Sequence, residues 1–258
     1  MLSVVGCGGR TKGREGYVGR AARFRRIGVN TGMLPEERLQ AIVDCSLFHK
    51  LDSQAQLALA RMASVRVYRT GEALFRRGDR SGTLFLVCDG WVRLALDRGA
   101  KEFSLSLHSR GDVLAEHVLL GVGYHESDCL AITHVRVLRF VSVAISEAIL
   151  NDLWGSLNAR MAQRVQLLLE RVEDLSLHTL DTRLARLLCR LSAQRVPLPY
   201  LSQGVLASMA NASRTKMNQM LRRFQRLGVI EMRGGRIIAV DGERLLMLCD
   251  DTGRRPVT

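Results

Sequence analysis

No two cysteines of this chain stand closer than 38 residues: Cys7, Cys45, Cys88, Cys129, Cys189 and Cys249 are spread along its whole length. That spacing excludes the paired thiolates of a zinc ribbon or an iron–sulfur cluster, and the six read as buried thiols. No apolar run approaches the roughly 18 residues of a membrane span. The start, MLSVVGCGGRTKGREG, sets a short apolar stretch ahead of its charges, the reverse of a secretory signal, so a cytoplasmic protein is expected. Walker, dinucleotide and Ser/His/Asp patterns are missing as well, so no catalytic residue and no cofactor is expected. His108, His117, His125 and His134 contain no His-x-His pair, which argues against a jelly-roll metal enzyme and leaves no expected metal ligand.

What is abundant is positive charge: 38 basic against 25 acidic residues in 258, a net charge of +13. Residues 1–32 hold seven basic residues and one acid, residues 33–181 hold 17 and 19, and residues 182–258 hold 14 and five. The C-terminal third is therefore the partner for a polyanion, with nucleic acid the first candidate. Residues 1–32, rich in Gly and Arg and without periodicity, read as a disordered basic leader, and Met33 is a second candidate start.

Within the basic third, ASRTKMNQMLRRFQRLG (Ala212 to Gly228) has no acid from Ser213 to Ile230. Met217, Met220, Leu221, Phe224 and Leu227 recur at helical spacing and predict a buried face. The opposite face carries Arg214, Thr215, Lys216, Asn218, Gln219 and Arg222, side chains suited to base edges and phosphates. Upstream, Ser202 predicts the cap of a short helix over Gln203 to Met209, Asn211 a left-handed turn, and Ser213 the cap of the longer helix. Val229 to Arg233 and Arg236 to Val240 flank Gly234-Gly235, a two-residue hairpin signal. Together these spell a winged helix-turn-helix.

The middle of the chain changes period. From Arg66, short β-rich runs are punctuated by Gly71, Gly78, Gly90, Gly99, Gly111 and Gly121, which predicts a small antiparallel roll. Leu157, Met161, Val165, Leu168, Val172, Leu175 and Thr179 then form a heptad-like seam on a long helix, with Arg160, Arg164, Glu170, Arg171 and Glu173 off the seam. Such a seam predicts a homodimer. The fold class is thus α+β: a leader at 1–32, an antiparallel β-roll at 33–148, a dimerisation helix and hinge at 149–180, and a winged helix at 181–258.

GEALFRRGD (Gly71 to Asp79), the Gly90 turn, GDVLAEHVLL (Gly111 to Leu120), LNARMAQRVQ, RLARLL (Arg183 to Leu188) and LSQGVLASMANASRTKMNQML resemble, in order, the landmarks of the cyclic-nucleotide and fumarate–nitrate regulator (Crp/Fnr) family of bacterial transcription factors. The resemblance spans about Leu47 to Leu246. It implies a cyclic-nucleotide-binding-like jelly roll as effector domain, a dimerising central helix, a hinge near Thr179 to Thr182, an inverted-repeat site on double-stranded DNA, and RNA polymerase as a further partner. Ser202 joins the implied DNA-binding set, Ser213 matches a phosphate contact, with Lys216 beside it, and Arg214 matches the arginine that meets guanine. Thr215 and Gln219 replace a glutamate and an arginine of many members.

The implied effector pocket departs further. Ala115 replaces a glycine, Glu116 survives as the ribose partner, Glu126 replaces the phosphate-binding arginine, and Ser127 survives beside it. Leu168 and Leu169 stand where the archetype offers hydroxyls to adenine, and they cannot donate to a base. Cyclic AMP is therefore not expected as effector. His117 matches the haem-ligating histidine of carbon-monoxide sensors, the alternative reading being a haem- or metal-containing roll.

Overall fold

The computed structural model describes residues 32–249 except 98 and 100; the leader and the last nine residues lie outside the described part. Helix α1 (Pro35–Val43) begins on a proline that needs no N–H partner there, and α2 (Ser53–Met62) is capped by Asp52 through the Ala55 N–H. Eight strands follow: β1 (Ser64–Tyr68), β2 (Ala73–Phe75), β3 (Thr83–Asp89), β4 (Val92–Asp97), β5 (Glu102–His108), β6 (Val113–Leu114), β7 (Asp128–Ala131) and β8 (Val135–Val141). They form two four-stranded antiparallel sheets, β1-β8-β3-β6 and β2-β7-β4-β5, the predicted roll. Its core includes Phe48 against Phe140 at 5.6 Å between ring centroids, with Leu84, Leu86, Leu114 and Leu138 fully buried. Gly90 is required at the β3–β4 turn: its φ is +87°, and a Cβ would lie 2.0 Å from the His134 carbonyl oxygen.

Helix α3 (Glu147–Leu177) is capped by Ser146. It starts two residues before the predicted 149, and its first turns belong to the roll, where Ile149, Leu153 and Leu157 join the core. The seam therefore divides. Leu157 is buried and Met161 packs on the roll, whereas Val165, Leu168 and Val172 are 52 to 59% exposed. His178 and Thr179 interrupt the helix, and Thr179 caps α4 (Leu180–Ala193) through the Thr182 N–H, at the predicted hinge.

Beyond it come α5 (Gln203–Met209), α6 (Arg214–Arg226), the hairpin β9 (Ile230–Arg233) and β10 (Arg236–Val240), and α7 (Gly242–Cys249). Their core holds Leu184, Leu188, Leu206, Met217, Leu221, Phe224, Ile237 and Leu245. Ile132 of the roll belongs to the same cluster, with Trp91 and Leu107 packed against it, so the winged helix sits on the roll. Ser208 of α5 meets Ser104 of β5 at 2.5 Å, a contact between residues 104 apart in sequence.

Candidate nucleic-acid interface and sensor region

Helix α6 is a two-faced element. Met217, Leu221 and Phe224 are buried, each contributing roughly 1.5–3 kcal/mol by leaving water. Met220 is half-buried. Leu227, predicted on the buried face, is 49% exposed because the helix ends at Arg226 and the chain turns away at Gly228, with φ +68°. Arg214, Thr215, Lys216, Asn218, Gln219 and Arg222 are all exposed, in a segment that carries no acid from Ser213 to Ile230.

Ser202 and Ser213 cap α5 and α6, accepting the Val205 and Lys216 N–H groups at 3.1 and 3.2 Å. Each cap stabilises its helix by about 1 kcal/mol and leaves its own O–H to donate, so capping and phosphate contact are compatible. Asn211 adopts φ +51° between the two helices, the left-handed turn expected there. The wing closes as predicted, with Arg233 opposite Arg236 and both intervening glycines at positive φ.

Two features of this surface escaped the sequence. The Arg214 guanidinium lies over Gly204 of α5, where a Cβ would stand 3.4 Å from Nε; α5 thus braces the arginine. Between α6 and the wing runs a cleft of about 270 Å³ lined by Gln203, Asn218, Arg222, Gln225, Met232 and Gly235. Gln203 Nε2 donates to the Gly235 carbonyl at 3.1 Å and Arg236 to that of Tyr200 at 3.2 Å, so the wing is tied to the start of α5. Asn218 and Arg222 face this cleft. Arg223 instead pairs with Asp181 of α4.

In the roll, Ala115 adopts φ +61° at the start of a short 3-10 helix, Glu116–Leu120. The family's glycine would take that conformation without strain; alanine is held in it. Glu116 is buried, 2% exposed, and one carboxylate oxygen receives Arg164 of α3 at 2.8 Å; the other has no hydrogen-bond partner. His117 Nε2 lies 3.1 Å from the Ser81 hydroxyl, and its ring stands edge-on to His125 at 5.3 Å. His125 stacks on Phe75 at 3.9 Å. Burial lowers the pKa of both imidazoles; Glu116 and Glu126 partly oppose this at His117, and His117 adds to it at His125. Glu126 is exposed and Ser127 half-buried. Leu168 and Leu169 lie on the exposed side of α3, and among the described residues no hydrogen bond or ion pair links these four to Glu116.

Of the four histidines weighed as metal ligands, only His117 and His125 come together. His108 contacts Ser106 and Asp112, and His134 is exposed. Among the described residues, no three His, Cys, Asp or Glu side chains are grouped as a metal site.

Arginines read only as lying off the seam prove structural. Arg160 donates to Val113 O at 3.2 Å, Arg164 holds Glu116, and Arg171 bridges from α3 to Met209 O of α5 and Leu105 O of β5 at 3.2 and 3.5 Å. Burial, then the neighbouring Arg190, lowers the pKa of Arg171. Asp174, 2% exposed, takes Arg186 and Arg190 of α4 on its two oxygens, each at 2.7 Å. Residues 160, 164, 171 and 174 recur at steps of four, seven and three, one face of the helix; that spacing was the available signal.

The described chain is thus an eight-stranded roll, a long helix and a winged helix whose second helix is basic and acid-free. Residues 65–152 match the cyclic nucleotide-binding domain and residues 182–248 the Crp-like helix-turn-helix domain. Over 196 residues the chain is 28% identical to the cyclic AMP receptor protein of Thermus thermophilus, covering 74% of this chain and 90% of that one. It is 23% identical over 218 residues to the CRP-like cAMP-activated global transcriptional regulator of Mycobacterium tuberculosis, covering 80% and 97%. Among solved structures, the c-di-GMP-responsive global regulator of Xanthomonas campestris shares the fold with a TM-score of 0.64 at 19% identity, over 74% of this chain and all of that one. The chain belongs to the Crp/Fnr family of transcriptional regulators.

Proposed function

We propose that this protein is a homodimeric, sequence-specific DNA-binding regulator whose activity does not depend on a cyclic nucleotide. The observation that carries the reading is the exposed face of α6, where six polar or basic side chains form no ion pair among the described residues while the opposite face is locked into the winged-helix core. Arg214, with its fork of donors braced by α5, is suited to guanine O6 and N7; Asn218 and Gln219 offer amides to further base edges, and Thr215 a hydroxyl. Lys216, Arg222 and the two capping serines fit phosphate. The exposed Val165, Leu168 and Val172 supply the dimer seam, which would set two α6 helices on an inverted repeat about 34 Å apart. The domain limits that go with this reading are 33–148, 149–180 and 181–258, with RNA polymerase as a downstream partner and the cytoplasm as the site of action. Among the described residues, no helix is long and apolar enough to cross a membrane.

The effector reading rests on Glu116. Arg164 already holds one of its oxygens, Glu126 puts negative charge where a phosphate would sit, and Leu168 and Leu169 offer no hydrogen bond to a base. A haem on His117 is disfavoured by the Ser81 contact at Nε2. The decisive experiment is genome-wide recovery of bound DNA from the native host. An inverted repeat shared by the recovered fragments is expected, and fragments with no common sequence would overturn the assignment.

A further inference from the structure

The structure brings together one pair of cysteines that neither the DNA-binding reading nor the roll employs. Cys189 on α4 and Cys249 at the end of α7 are 60 residues apart in sequence, yet their sulfurs stand 3.6 Å apart. Both are half-buried at the edge of the winged-helix core. The other described cysteines, Cys45, Cys88 and Cys129, are buried, and burial raises their pKa values, that of Cys88 to about 11. We propose that Cys189 and Cys249 are an oxidisable dithiol, closing to a disulfide that staples α7 to α4 when a peroxide or a small-molecule disulfide reaches the winged helix.

The chemistry needs little movement. A disulfide requires the sulfurs to close from 3.6 Å to about 2 Å. With hydrogen peroxide, the thiolate of one cysteine attacks, the O–O bond breaks, and the sulfenic acid forms as water leaves. The second thiolate then attacks that sulfur, the S–O bond breaks, and a second water leaves. The two thiols have lost two electrons to the peroxide, and all their hydrogens are in the waters. The second step is intramolecular and outpaces capture by a solute thiol.

The location gives the link a consequence. Helix α4 holds α3 through Arg186 and Arg190 on Asp174. Helix α7 holds the end of α6, because Arg244 donates to the Leu227 carbonyl at 2.9 Å and Asp241 N–H to that of Val229 at 2.8 Å. A covalent link between α4 and α7 therefore ties the support of the recognition helix to the helix that receives the dimerisation arm. Because the two helices already touch, the staple preserves the DNA-binding arrangement and makes it more resistant to unfolding.

The test uses the full chain with Cys7→Ser, leaving five thiols. Reduced protein is exposed to a small excess of hydrogen peroxide or to oxidised glutathione, alkylated and digested without reductant. Expected are the loss of two thiols, a cross-linked peptide joining Cys189 to Cys249 that dithiothreitol releases, and a rise in thermal midpoint on the order of 5 °C. Cys189→Ala and Cys249→Ala should each abolish the cross-link and the shift. Specific DNA affinity of the oxidised form should stay within about threefold of the reduced form, well short of a tenfold effect. Recovery of both cysteines as alkylated thiols or as separate glutathione adducts overturns the proposal, as does a larger loss of affinity on oxidation. Absence of DNA binding in both forms bears on the regulator reading alone, since thiol mapping decides the disulfide independently.

Discussion

Arg164 of the long helix reaches Glu116 of the roll at 2.8 Å, so this buried carboxylate is paired from within the chain. The contact joins the roll to the helix that continues toward the winged helix. Its other oxygen, buried without a partner, is a cost retained within the roll.

A cyclic nucleotide would find one Glu116 oxygen already held by Arg164, would place its phosphate by Glu126 and would leave polar base edges unpaired at roughly 1–3 kcal/mol per buried group. Titration calorimetry with cyclic AMP or cyclic GMP should therefore show no binding, and DNA affinity should be unchanged by either. A micromolar Kd for cyclic AMP would sink this reading.

On DNA, Arg214→Ala should cost about 1–3 kcal/mol of specific affinity and relax the preference at one base pair of each half-site. Lys216→Ala should weaken all sequences alike and flatten the dependence on salt. Binding-site selection with each variant separates the two roles; an unchanged preference in the arginine variant would mean that another element reads the bases.

Val165 and Val172 are 56 and 59% exposed in the single chain, an apolar stripe that one protomer leaves uncovered. In the proposed homodimer, replacing both by Asp sets like charges opposite each other across the seam, so sedimentation should show a dimer for the wild type and monomers for the variant. The roll should keep its stability, because Leu153 and Leu157, not these valines, pack on it.

The joint between α3 and α4 should be sensitive to Asp174. Asp174→Ala leaves Arg190 without its carboxylate and Arg186 with only Glu173 at 3.7 Å; since both arginines are about 30% exposed, the loss should be roughly 1–3 kcal/mol, below that of a fully buried pair. Calorimetry should then show the winged helix melting earlier than the roll. A single unshifted transition would show that the clamp carries no coupling.

Acid should loosen the roll. His117 and His125 have pKa values lowered by burial from an ordinary 6.5, so the folded state disfavours protons that the unfolded chain takes up. Their contribution is full above the unfolded pKa and is lost as pH falls through the lowered folded values. The thermal midpoint should fall on acidification below about pH 6.5, and more shallowly in His125→Gln, whose side chain has no charge to gain.

Much of this molecule is local and could be read from the chain. The caps Ser202 and Ser213, the left-handed Asn211, the Gly234-Gly235 turn and the buried face of Met217, Leu221 and Phe224 each follow from neighbours within one or two helical turns. The glycine-punctuated roll and the apolar seam are likewise patterns of period two and seven. Tertiary structure alone decided what joins distant segments. The half of the seam that belongs to the roll, the pairing of Glu116 with Arg164, the seating of Arg214 on Gly204 and the meeting of Cys189 with Cys249 all depend on how α3, α4 and α7 pack. An arginine four residues from another reads as solvated charge in one dimension; only the fold shows that a buried carboxylate or an unpaired carbonyl lies opposite it, and desolvation makes that pairing matter.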